Sequence, residues 1–173
     1  MAENIFDQIE DIGSNFRKTV DEKYPDEKNV TNLLSNVVSI LGGKIIGTND
    51  PEYFEINGGS LRINSIGDFY IKLPMDTSPL RDNFTIAHEL GHYFLHYKEE
   101  YGKIIYARYG NSSEEIQANR FAAAFLMPRE QFLKARKDYK DCIPLIAAHF
   151  QVSTDVVQEA ILLFCISFPW GWS

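Results

Sequence analysis

The segment FTIAHELGHYFLH, residues 84–96, constrains this chain more than any other stretch. Phe84, Ala87, Leu90, Gly91, Phe94 and Leu95 recur at threes and fours, which predicts a helix, and within it His88 and His92 stand four residues apart. At about 100° and about 1.5 Å per residue, the two rings lie about 40° apart on one face and about 6 Å along the axis. Both imidazoles can then reach one ion. Glu89 points to the side of that ion, where a carboxylate takes a proton from bound water rather than ligating. The apolar flanks predict a buried helix, in which His and Glu are costly unless a metal or hydrogen bonds satisfy them.

Two histidines leave a tetrahedral catalytic zinc one protein ligand short. The extended pattern HExxHxxGxxH would put Gly at 95 and His at 98, but Leu95 and Lys98 stand there. His96 lies eight residues from His88, about 12 Å of helix rise. That is too far for both to share an ion, so packing or a surface hydrogen bond is expected of His96. The remaining source is a carboxylate on another helix, and EEIQANRFAAAFLMP, residues 114–128, presents two. Glu115 is the expected third ligand; Glu114 points about 100° away and reads as a solvated first-turn charge favoured by the helix dipole. Asn119, one turn beyond Glu115, can hydrogen-bond a ligand histidine, and Ala118, Ala122 and Ala123 allow close approach to the first helix.

Around these segments the pattern is α+β. Residues 3–20 carry Ile5, Ile9, Ile12, Phe16 and Val20 at helical spacing, and a second helix runs from after Pro25 to Leu41, stopped by Gly42-Gly43. KIIGT, EYFEIN, SLRINS and DFYIKL then read as short strands of a small, mainly antiparallel sheet. Residues 97–113 read as a loop, and the C-terminal half as mostly helical, with a short helix after Pro128 and a last pair at about 143–164 resembling a helix-turn-helix. With no repeat or linker, residues 1–173 are expected to form one domain.

Taken together, Phe84 to Pro128, with HELGHYFLH and E-x-x-A-N-x-F-A-A followed by L-M-P, resembles the ImmA/IrrE family of bacterial and phage metallopeptidases. The resemblance implies a zinc endopeptidase that cleaves a helix-turn-helix repressor and so switches a mobile-element or stress-response operon. It also implies that His88, His92 and Glu115 bind the Zn2+ and that Glu89 is the catalytic carboxylate. Gln117 departs from it, since many relatives carry an acidic residue there, as does the tail LFCISFPWGWS. The rival reading is a non-catalytic module, its metal structural or absent, that docks on a repressor or toxin-antitoxin partner. Tyr101, Tyr106 and Tyr109 are candidate oxyanion donors, and a sheet edge beside the cleft is a candidate seat for substrate as an added strand.

Charge and hydropathy exclude other classes. Seventeen Lys plus Arg against 24 Asp plus Glu give a formal charge of −7, a poor match for a phosphate backbone. The last helix pair, between Asp141 and Phe164, holds no Lys or Arg, so a structural pair or a docking surface is expected there rather than direct nucleic-acid binding. No run reaches the roughly 20 apolar residues that span a bilayer. The acidic first sixteen residues lack a signal-peptide pattern, and Cys142 and Cys165 lack CxxC spacing. A cytoplasmic protein with reduced core thiols and no membrane association is the expectation. The tail aromatics Phe164, Phe168, Trp170 and Trp172 are expected to pack on the core.

Overall fold

The computed structural model describes residues 4–49, 60–99, 104–107 and 112–166. Helix α1, Ile5–Lys23, is capped by Asn4, whose side chain accepts from the Phe6 N–H. Its buried face is formed by Ile9, Glu10, Gly13 and Val20, while Ile5 and Ile12 are exposed. The stripe read from the large apolar residues is thus rotated, because Gly13 rather than Ile12 meets the neighbouring helix. Helix α2, Val30–Ile40, starts at the Asn29 cap and buries Val30, Leu33, Leu34, Val37 and Val38. It ends at Gly42, whose φ of +80° is the left-handed region that glycine enters freely; a Cβ there would sit 2.1 Å from the Gly67 carbonyl oxygen.

Strands β1 (Gly43–Thr48), β2 (Ser60–Ser65), β3 (Asp68–Pro74) and β4 (Ile104–Ala107) form one sheet in the order β1-β3-β2-β4. The β2–β3 and β2–β4 pairs are antiparallel, as a mainly antiparallel sheet requires. Strand β1 instead lies parallel to β3, with Ile45 opposite Ile71. Strand β4 corrects the reading of 97–113 as all loop: Ile104–Ala107 supply alternate backbone hydrogen-bonding groups to β2, a long-range pairing that local turn composition does not reveal. EYFEIN lies outside the described residues. On β2 and β3 the period of two puts Leu61, Ile63, Phe69, Ile71 and Leu73 into the core, with Leu61 against Ile71 and Ile63 against Phe69.

Helix α3, Pro79–Leu95, packs on β2, β3 and α2. Ser78 caps it by accepting from the Arg81 N–H, and Pro79 opens its first turn, where no N–H is needed. Every residue from Asn83 to His92 is buried. Helix α4, Ser113–Leu126, lies between α1 and α3 and carries Phe121, Phe125 and four alanines in the core. Helices α5 (Arg129–Asp138), α6 (Ile143–Phe150) and α7 (Thr154–Ile166) follow. Phe132, Ile146, Phe150, Val157 and Phe164 join the same hydrophobic cluster as Ile9 and Leu34.

The α6–α7 pair is fastened to the rest through its turn. Gln151, in the left-handed conformation, accepts from the Val30 N–H at 3.1 Å and donates to the Lys28 carbonyl at 2.7 Å. Its own carbonyl accepts from Asn83 Nδ2 at 2.9 Å, and Asn83 Oδ1 accepts from the Thr31 hydroxyl at 2.8 Å. Asn83 and Gln151 thereby tie α3, α2 and the last pair together. Cys142 is exposed and free, which corrects the reading of both cysteines as core thiols. The tail residues Phe168, Trp170 and Trp172 lie outside the described residues. Among the described residues, no helix is long and apolar enough to cross a membrane.

Candidate metal centre

The site is built where α3 meets α4. A Cβ on Gly91 would stand 3.1 Å from both the Cα and the carbonyl oxygen of Ala118, so the two helices touch backbone to side-chain-free backbone. Close approach is what lets a carboxylate in the first turn of α4 reach histidines in the middle of α3. Ser112 caps α4 by accepting from the Glu115 N–H at 3.2 Å. Ser112 and Glu115 thus have the spacing of a capping box, in which the glutamate side chain turns back to the cap. Here that carboxylate turns to the histidines.

Glu115 Oε1 lies 3.0 Å from His92 Nε2, Glu115 Oε2 lies 3.3 Å from His88 Nε2, and the two Nε2 atoms are 3.1 Å apart. These side chains form a cluster able to hold a metal ion. His88 and His92 are 0 and 2% exposed and Glu115 12%, so the group is closed on the helix side and reached beside the carboxylate. His88 Nδ1 lies 2.8 Å from Asn119 Oδ1. An amide oxygen only accepts, so His88 carries its proton on Nδ1 and turns the Nε2 lone pair to the cluster. Burial and the neighbouring His88 push the His92 imidazole down to about 3, so this ring is neutral near pH 7.

Electron-rich atoms converging at 3.0–3.3 Å suit a cation among them. Tetrahedral zinc with bonds of about 2.0–2.1 Å requires donors about 3.3 Å apart, and two imidazoles with one carboxylate are a known catalytic donor set. The residues therefore fit the metal. Glu89, one residue past His88, is 1% exposed.

The expected trio of His88, His92 and Glu115 is brought together, and Glu114, on the exposed side of α4, is not part of it. Asn119 lies beside the His88 ring, as expected. His96 does more than the sequence reading allowed. Its Nδ1 is 2.9 Å from His92 Nδ1 and its Nε2 is 3.3 Å from Gln117 Oε1. The sequence signal for this contact is the spacing of four between His92 and His96. Tyr101 and Tyr109 lie outside the described residues, and for Tyr106 only the backbone of β4 is described.

A pair of facing helices that offers two imidazoles and a carboxylate beside a small sheet is an arrangement shared by metal-dependent hydrolases. Residues 69–162 match the model of the IrrE N-terminal-like domain, Peptidase_M78, so the chain belongs to a peptidase family. That family is the ImmA/IrrE metallopeptidases, and the matched span contains α3, α4 and every residue of the cluster. Comparison with curated proteins and with solved structures gave no significant match.

Proposed function

We propose that residues 1–173 act as one zinc-dependent endopeptidase domain whose cytoplasmic substrate is a helix-turn-helix repressor, so that cleavage releases transcription of an operon. The observation that carries the chemistry is the convergence of His88 Nε2, His92 Nε2 and Glu115 within 3.0–3.3 Å on buried helix faces. The repressor rests on the family alone.

In this reading His88, His92 and Glu115 hold the metal. Zinc, when bound, supplies Lewis acidity, lowering the pKa of a water toward about 7 and polarising a peptide carbonyl. Glu89 accepts the proton of the attacking water and returns it to the leaving amine. Its burial beside His88 holds the carboxylate where bulk water does not compete for that proton. Asn119 keeps the His88 ring in one tautomer throughout. Among the described residues β4 stands at the end of the sheet, where its backbone groups could take an extended substrate segment as a further strand.

The test pairs zinc analysis with cleavage of any helix-turn-helix repressor found encoded beside this gene, for wild type and Glu89→Gln. About one zinc per chain in both proteins, with cleavage only by wild type, is expected. A wild type that binds zinc and leaves the repressor intact would replace the substrate; Glu89→Gln that still cleaves would remove Glu89 from the mechanism.

A further inference from the structure

On the reading of His92 as a metal ligand, we infer that His96 and Gln117 form a relay that fixes the His92 tautomer, making His96 a positioning residue of the metal centre. The relay runs through four side chains. His92 Nδ1 meets His96 Nδ1 at 2.9 Å, His96 Nε2 meets Gln117 Oε1 at 3.3 Å, and Gln117 Nε2 donates to the Ser113 hydroxyl at 3.0 Å. Its polarity follows from the far end. Gln117 Oε1 is an acceptor only, so His96 Nε2 must carry a proton and donate it. A neutral His96 protonated on Nε2 has a lone pair on Nδ1, so it accepts from His92 Nδ1–H. With a cation rather than a proton between Glu115 and the rings, a neutral His92 protonated on Nδ1 turns its Nε2 lone pair to that cation. Reversing the Gln117 amide reverses every step and puts the proton on His92 Nε2, where it would occupy the lone pair a metal needs.

The relay is therefore a device with one productive direction, set by a neutral amide. It mirrors the contact of Asn119 with His88, so each ring is oriented by one amide oxygen on α4, directly for His88 and through a second imidazole for His92. Asn119 and Gln117 sit on the same helix as Glu115. Helix α4 thus supplies the third donor and also sets the protonation geometry of the other two. Outer hydrogen bonds of this kind change metal affinity by about 10–100-fold when removed.

Two-bond 1H–15N correlation spectra of the zinc-loaded full chain read the tautomer of the His96 ring, which does not touch the metal. In the zinc-loaded chain His96 is expected as the Nε2–H form, donating to Gln117; a His96 protonated on Nδ1 there overturns the proposal. Zinc affinity by chelator competition is the second readout. His96→Leu and Gln117→Leu are each expected to weaken it about 10–100-fold. His96→Asn, whose amide oxygen falls near the former Nδ1, should regain most of the loss, with little change in the melting temperature of the metal-free protein. Should His96→Leu fail to fold, Gln117→Leu and the wild-type spectra decide. Affinity within about twofold of wild type in a folded Leu variant also overturns it. A wild type that binds no zinc refutes the proposed function instead.

Discussion

The Cα of Gly91 faces the Cα of Ala118 so closely that an added methyl would stand 3.1 Å from it. Gly91 lies between His88 and His92 in sequence, and Ala118 lies between Glu115 and Asn119. The helix separation at this point therefore sets the distance from carboxylate to imidazole. Gly91→Ala gains up to about 1 kcal/mol of helix propensity but overpacks rigid backbone, at about 1–3 kcal/mol. The second effect should win, because Ala118 Cα and O cannot swing aside. Urea unfolding of the metal-free variant should show net destabilisation, and its zinc affinity should fall. A more stable variant with unchanged affinity would mean the helices part without cost.

Asn119 should matter through one atom. Asn119→Leu leaves the His88 Nδ1–H without this acceptor and is expected to lower zinc affinity about 10–100-fold, whereas Asn119→Asp keeps an acceptor there and should lower it less. Competition with a chelator checks the order; equal losses in both would show that shape, not hydrogen bonding, holds the ring.

Zinc should stabilise the fold by mass action, since the unfolded chain lacks the preformed cluster. At a free concentration of about 100 times Kd the gain is about 2.7 kcal/mol, visible as a higher melting temperature that chelator removes. Glu115→Ala should abolish most of this shift, measured against the metal-free melting temperature of the same variant. A full zinc shift in that variant would reassign the third ligand.

The buried pair of Arg120 and Glu10, 2.6 Å apart, locks α4 to α1, and Arg120 also covers the Phe6 ring at 4.2 Å. Removing one partner by Arg120→Met should cost about 3–5 kcal/mol, while Arg120→Met with Glu10→Leu should recover much of it. Burial pushes the Glu10 carboxyl above its ordinary 4.5, outweighing the attraction of Arg120. The native state therefore holds this proton more tightly than the unfolded chain. The contribution of Glu10 is full below 4.5 and is lost as pH rises through the raised value. Urea midpoints of wild type and Glu10→Gln should accordingly shift in favour of the variant over that interval; a shift in favour of wild type would mean that the ion pair dominates.

Local spacing carried most of what could be read in advance. The helical period and the His-Glu-His pattern are properties of neighbours in the chain, and they led to His88, Glu89 and His92 directly. Glu115 and Asn119 were legible because one turn of helix separates them, so a side chain that reaches one ring implies another that reaches its neighbour. The pairing of β4 with β2 and the parallel alignment of β1 with β3 join segments distant in sequence, and no local signal encodes them. The relay through His96 was hidden for a different reason. It depends on a Gln117 side chain whose role exists only once α3 and α4 are in contact.

Helix α4 is gripped on two sides, by Gly91 of α3 and by Gly13 of α1, where a Cβ would stand 2.8 Å from the Phe121 carbonyl oxygen. Only the first of these grips falls within residues 69–162. A recombinant fragment trimmed to the family boundaries would keep His88, His92 and Glu115 yet strip the brace behind them, uncovering the side of Phe121 and Phe125 that Phe16 covers and leaving Arg120 without its counter-ion. The packing that holds this cluster in place therefore extends beyond the portion by which the chain's kinship is recognised.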